Sequence, residues 1–387
     1  MLAILRRAAL ACPLLLASVV LADGPAYPED NLPELARLLD EAREKSPALV
    51  SQALAQQEAV ARLDAARSGY YPRVDINANF GYRKSIYQES GIADEDSFGA
   101  NFNAVIRRPL YHWGAIEARI RQARLDFINE DLERVHLLRG IKRSLRADYL
   151  ALIVHRAELN NLALRRQAAE DALVRTDSDR AAGTIGEAEA EQARISVEQS
   201  LIDIEAIEAE QARILAAYKR DLGWDTPLAL DQAPASPDLP ALLAWVERTR
   251  ATGLDAWLAD QAEVQRRQNL LEREKAELVR IAAGQRPLFN FAASAGQGQS
   301  NTAGQNNVDT FNYFVGVDVS WNIFDGFETS AKRREANFRL RRIERELAAY
   351  QDELRAQSFD LLRQIAFRAR QLQLDERRAT LASGTLA

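Results

Sequence analysis

A unit that occurs twice constrains this chain more than any other feature of it. Each copy is an arriving helix, a Pro, two segments of alternating apolar residues around a polar loop, then a Gly and a very long helix. The first copy reads Tyr71-Pro72-Arg73-Val74-Asp75-Ile76, passes through Phe98, Phe102 and Ile106, and closes on Pro109-Leu110-Tyr111-His112-Trp113-Gly114. The second reads Arg286-Pro287-Leu288-Phe289, then Val315, Val317 and Val319, and closes on Trp321-Asn322-Ile323-Phe324-Asp325-Gly326. The copies lie roughly 210–215 positions apart, too long a period for a solenoid, so the duplication predicts one body with two-fold pseudo-symmetry.

The alternating segments have the period of a strand. Val74, Ile76, Ala78, Phe80 and Tyr82 interleave with Asp75, Asn77 and Asn79, and Phe98, Ala100, Phe102, Ala104 and Ile106 follow a polar loop that includes Glu89, Gly91 and Asp94. In the second copy Phe289, Phe291, Ala293 and Ala295 precede a Gly/Asn/Gln loop at 296–307, then Tyr313, Val315, Val317, Val319 and Trp321. The spacing predicts β-hairpins at about 72–108 and 287–322. Each run is ~9–11 residues, the length a tilted strand needs to cross a bilayer. Tyr70, Tyr71, Tyr111, Trp113, Tyr313, Trp321 and Phe324 gather toward the ends of the runs, as membrane-interface aromatics do. Four strands cannot close a barrel around a pore, so this reading requires oligomerisation, and three copies give twelve strands.

The remainder is helical. Residues 33–67 are rich in Ala, Leu, Glu, Gln and Arg, with a break expected at Ser46-Pro47. After Gly114, Leu125, Ile128, Leu132, Val135, Leu138, Ile141, Leu145, Tyr149 and Leu152 recur at steps of three or four, a coiled-coil seam. The run to Gly183 would reach on the order of 100 Å. A reversal is expected at Gly183-Thr184, followed by a return helix with Val197, Leu201, Ile204, Leu215, Tyr218 and Leu222 on its seam. Gly223, Pro227, Pro234, Pro237 and Pro240 mark a linker at 223–240. Helix resumes to about Ala283 with a break at Gly253, and a third long helix spans about 327–382.

Arg6 and Arg7 before an apolar run from Ala8 to Leu21, closed by Val20-Leu21-Ala22, predict a cleaved signal peptide at 1–22. Ala9 stands three residues before Cys12, where a lipidation signal has Leu, so a lipoprotein is not expected. Cleavage removes that lone cysteine and with it disulfide and thiol chemistry. The net charge of −6, with Lys/Arg and Asp/Glu mixed along 387 residues, excludes a nucleic-acid binder's basic stripe. Beyond the leader no segment has the ~20 continuous apolar residues of a spanning helix, so any membrane crossing must be made by strands.

No residue set proposes a reaction, a metal site or a cofactor. His112, His136 and His155 lack partners at metal-ligand spacing, and Ala295-Gly296-Gln297-Gly298 is not a phosphate loop. Glu187 and Glu191 share a helix face just after Gly183. On symmetric copies they would form carboxylate rings, a possible acidic constriction; the ordinary reading is a solvated first turn whose anions favour the helix N-terminus.

These stretches together resemble the TolC-like outer membrane efflux protein family. The likeness rests on Leu32-Pro33-Glu34-Leu35, Ser46-Pro47-Ala48-Leu49, Tyr70-Tyr71-Pro72, Pro109-Leu110-Tyr111, Arg286-Pro287, Trp321-Asn322-Ile323-Phe324-Asp325-Gly326, and the tips Gly183-Thr184 and Gly384-Thr385. It implies an α+β membrane protein: a long antiparallel α-helical coiled-coil barrel plus a transmembrane β-barrel with four strands per subunit, twelve as a homotrimer. It also implies a lipid-embedded outer membrane location with helices extending into the periplasm. A periplasmic adaptor (membrane fusion) protein, fed by an inner-membrane transporter, would dock at Arg180, Ala182, Gly183, Thr184, Gly384 and Thr385. Relatives carry a return helix after the second tip. Here the sequence stops at Ala387, so the first repeat is expected at 23–222 and the second at 241–387 without that helix. The function expected is a passive exit duct for efflux or type I secretion. The alternative is a periplasmic coiled-coil scaffold or adaptor whose hairpins form a small soluble sheet.

Overall fold

The computed structural model describes residues 27–85, 95–222, 228–233, 237–300 and 308–385. The expected leader at 1–22 with Cys12, loop residues 86–94 and 301–307, and linker residues 223–227 and 234–236 lie outside the described residues. Eight α-helices and four strands follow in the order α1 (Pro33–Lys45), α2 (Pro47–Arg67), β1 (Arg73–Ser85), β2 (Glu95–Tyr111), α3 (Ala115–Ala181), α4 (Glu187–Leu222), α5 (Leu239–Thr252), α6 (Asp255–Ala259), α7 (Ala262–Ala283), β3 (Leu288–Ser300), β4 (Val308–Ser320) and α8 (Glu328–Thr385) among the described residues. Local chemistry sets the boundaries. Pro33 opens α1 where its missing N–H costs nothing, and Ser46, held extended at ψ 121° before Pro47, separates α1 from α2. Gly253 ends α5 in the left-handed region at φ 81°.

The chain divides into two compact units, and both draw on both sequence repeats. One takes residues through 50, 137–258 and 352 onward; the other takes 51–136 and 259–351. In the first unit, Leu32, Leu35, Leu38, Leu39 and Ala42 of the α1 region pack with Leu145, Tyr149, Leu152 and Ile153 of α3 and with Ile214, Tyr218 and Leu222 of α4. A second cluster joins Val246, Leu254 and Leu258 to Leu362 of α8. The seam expected on α4 is shifted by one residue: Ile214 is buried and Leu215 is 45% exposed. Ile214, Tyr218 and Leu222 succeed one another at steps of four, so they form one stripe that Leu215 cannot join.

The second unit holds the sheet and the helix segments that flow into it. Gln52 of α2 donates to Glu130 of α3 at 2.8 Å, Asn269 of α7 donates to Asn129 of α3 at 2.9 Å, and Arg267 of α7 stacks over the Tyr350 ring of α8 at 4.3 Å. The helix order α2-α3-α7-α8 thus repeats the strand order β1-β2-β3-β4. All three strand pairs are antiparallel.

The duplicated turn from strand to helix is real, with an offset. Trp113 and Gly114 have φ of 53° and 80°; Gly326 and Phe327 have 65° and 69°. Ala115 N donates to His112 O as Glu328 N donates to Asp325 O, so Gly114 is equivalent to Phe327 rather than to Gly326. Each copy therefore places one bulky residue in the left-handed region, at roughly 1–2 kcal/mol. The second expected tip differs from the first: Gly384 and Thr385 belong to the last turn of α8, with no reversal among the described residues.

Candidate membrane-spanning sheet and helix reversal

Register gives the sheet two distinct faces. Directly opposed residues in antiparallel strands share a face, so the pairs Val74–Ile106, Ile76–Ala104 and Ala78–Phe102 continue through Ile106–Ala293 and Ala104–Ala295 into Ala293–Val315, Phe291–Val317 and Phe289–Val319. This apolar face runs across all four strands, interrupted by Gln297 between Phe102 and Phe311, and is open: Ile76 is 74% and Tyr313 79% exposed. Phe80 and Phe102 meet edge to face on it, with centroids 5.3 Å apart. Arg108, opposite Phe291, is its one basic side chain near the helix-side end, where a long stem can carry the charge to the interface. The other face is mostly polar or small: Asn77 opposes Asn103 and Asn79 opposes Asn101, with Ser294, Gly296 and Asn312 beyond, and Val105 and Phe314 are its large apolar side chains beside Ser294. Gly296 is required there, because a Cβ would stand 2.9 Å from the Phe102 carbonyl oxygen and 3.2 Å from Asn103 Oδ1.

The aromatics fall at two heights relative to the apolar face. Tyr71, Tyr111, Trp113, Trp321 and Phe324 lie at the helix-side end, with Tyr70 in the turn just before it. Tyr111 reaches this face through a register shift between Pro109 and Tyr111, which reverses the side-chain parity of β2. Both indoles are fastened to the turn that enters β3: Trp113 Nε1 donates to Pro287 O at 2.8 Å and Trp321 Nε1 to Gln285 O at 3.0 Å. The Arg286 guanidinium lies over the Trp113 ring at 4.8 Å, and His112 Nε2 meets Asn290 Oδ1 at 2.8 Å. Tyr313 is higher, level with Ile76. Eight residues separate it from Trp321, about 27 Å along the strand and roughly 20 Å of height at the usual barrel tilt. On the opposite side of the second turn, Thr329 donates to the Asp325 carboxylate from its hydroxyl and its backbone N–H, which holds that carboxyl below the ordinary range.

The reversal between α3 and α4 is a complete helix-ending motif. Gly183 N donates to Arg180 O at 2.9 Å and Thr184 N to Asp179 O at 3.0 Å, with Gly183 at φ 75°. Thr184 Oγ1 adds a bond to the same Asp179 carbonyl at 2.7 Å. Arg180, Ala182, Gly183 and Thr184 are exposed. Glu187 pairs with Arg180 at 3.1 Å and Glu191 with Arg194 at 3.3 Å, so each carboxylate of the suggested constriction has a local counter-charge.

One polar constellation had no sequence signal. Asp231, in the Pro-rich linker, accepts from Tyr149 Oη at 2.9 Å and from Glu34 N at 3.1 Å, while its own N–H donates to Tyr149 Oη at 3.0 Å. It thus caps α1, whose own cap residue Leu32 has no side-chain acceptor. Arg156 donates to Leu230 O at 3.0 Å and to Asp231 O. Burial raises the Tyr149 phenol to about 12.

Residues 38–223 match the family model of outer membrane efflux proteins. No curated protein gives a significant match. Among solved structures, the Campylobacter jejuni CmeC outer membrane channel is similar at 17% identity and a TM-score of 0.71, covering 92% of this chain and 75% of that one. The outer membrane protein VceC of Vibrio cholerae is similar at 13% identity and 0.71, over 94% of this chain and 86% of that one. CusC is similar at 15% identity and 0.70, over 92% and 80%. The fold is that of the TolC-like outer membrane efflux channels.

Proposed function

We propose that this chain is the outer membrane exit duct of a tripartite efflux or type I secretion system, a passive conduit for small molecules or polypeptides. Three copies join their sheets into one barrel with the apolar faces toward lipid and the Asn-rich faces toward the lumen. The long helices reach into the periplasm, and the reversal at 180–184 meets a periplasmic adaptor coupled to an inner-membrane transporter that supplies the energy. One observation carries this reading: an open four-stranded sheet whose largely apolar face is uncovered across all four strands and whose opposite face is mostly polar or small. A soluble scaffold would have to bury that face, and no described element does so.

Reconstitution in planar bilayers is the direct test. Trimer-dependent conductance is expected; protein that osmotic shock releases as a water-soluble monomer would defeat the proposal. Docking is tested separately with Gly183→Trp, which should abolish cross-linking to the adaptor while conductance persists. Unchanged cross-linking would place docking elsewhere.

A further inference from the structure

A cavity of ≈ 400 Å³ opens between α3, α7 and α8 within the unit that carries the sheet. Arg119, Arg273, Glu274, Glu277, Arg280 and Arg339 line it. Glu274 is its buried acid, 5% exposed, and Oε2 accepts no hydrogen bond. Its neighbours stand off: Arg339 is 3.5 Å from Oε2 and Arg273 is 3.6 Å from Oε1. Such a buried oxygen calls for a donor, since an unfilled acceptor in the interior costs about 1–3 kcal/mol.

The other charges of the cavity have partners of their own, with one exception. Arg273 pairs with Asp126 at 2.9 Å, Arg280 with Glu277 at 2.5 Å, and Arg339 with Glu335. Glu277 also accepts from Gln122 at 2.9 Å. Arg119 makes no ion pair or hydrogen bond to a described residue. The cavity therefore offers one uncommitted guanidinium, three more within it, and one carboxylate oxygen in need of a proton donor.

We propose that this cavity binds a phosphate group that retains a proton. Its P–OH donates to Glu274 Oε2 while its remaining oxygens accept from Arg119 and the neighbouring guanidiniums. A carboxylate among arginines discriminates between anions by protonation. Sulfate is fully ionised near neutrality and a phosphodiester has no P–OH, so either would set an oxygen against Glu274. Inorganic phosphate keeps a proton throughout the neutral range, and a phosphomonoester keeps one below its second pKa of about 6. The group can come from free phosphate or from a terminal phosphate on a lipid headgroup.

Calorimetric titration of the assembled, detergent-solubilised full chain tests this without reference to transport, so it can fail while the duct reading stands. At about pH 6, inorganic phosphate is expected to bind at least ~10-fold more tightly than sulfate. Glu274→Gln, whose amide can donate, should bring the two within ~3-fold. Arg119→Ala, which breaks no internal pair, should weaken phosphate at least ~10-fold. Glycerol phosphate separates the sources: its binding assigns a terminal phosphate group, and binding of inorganic phosphate alone assigns the free ion. No phosphate binding by the unaltered chain, equal affinity for sulfate, or an unaffected Arg119→Ala overturns the proposal. Those three results suffice if Glu274→Gln does not assemble.

Discussion

Asp231 joins three elements through one carboxylate: Tyr149 of α3, the first turn of α1 at Glu34, and the linker to which it belongs. Removing it leaves two donors without an acceptor. Asp231→Ala is expected to cost about 1–3 kcal/mol and Tyr149→Phe about 1 kcal/mol. The double variant should lose less than the sum, because both changes break the same bond. Urea unfolding followed by circular dichroism in detergent checks this, and strict additivity would show that the two groups act independently. Acid should act at the residue scale as well. Hydrogen bonds from Arg37, Arg280 and Thr329 hold Glu34, Glu277 and Asp325 below their ordinary values. Groups depressed in the folded state contribute stability that is complete above the unfolded pKa of about 4 and lost as pH falls through the folded value. The unfolding midpoint should be flat from about pH 7 to 5 and fall below about pH 4.

At the scale of elements, turns and close approaches carry the constraints. A Cβ added at Gly183 meets nothing within 4 Å, so Gly183→Ala costs only its backbone strain, about 1 kcal/mol, and leaves α3 and α4 helical. Gly296 is the opposite case. Its Cβ would collide with backbone of the neighbouring strand, so Gly296→Ala should cost about 1–3 kcal/mol. Loss of the heat-stable oligomer band on gels would register it, whereas an unchanged band would mean β2 and β3 can part without harm. Alternation and helical period announced β1 to β4 and the long helices, because burial and pleat write themselves into every second or every third and fourth residue. The register shift at Pro109 was not announced. It depends on how β2 meets β3, a partner nearly two hundred residues away.

For the whole molecule, the open edges of β1 and β4 and the uncovered apolar face make one chain an incomplete object. The direction in which each face looks can be measured. Ala78→Arg places a charge on the apolar face near mid-strand and should cost about 2–4 kcal/mol of folding stability in lipid vesicles, as a lipid-facing site does. Asn77→Arg, one residue away on the polar face, should cost less than about 1 kcal/mol. Equal costs would deny that the two faces meet different media.

The sequence by itself determined the strand pairs, the helix spans and the reversal at Gly183, because propensity, periodicity and turn chemistry act between near neighbours. It also marked the apolar rows and the aromatic ends of the strands. Only the tertiary structure decided that Ile214 rather than Leu215 enters the core, that Gly114 corresponds to Phe327, that Asp231 caps a helix about two hundred residues earlier, and that Glu274 lies buried among arginines. Those outcomes depend on which distant groups end up within a few ångströms, and a one-dimensional pattern carries no term for that distance.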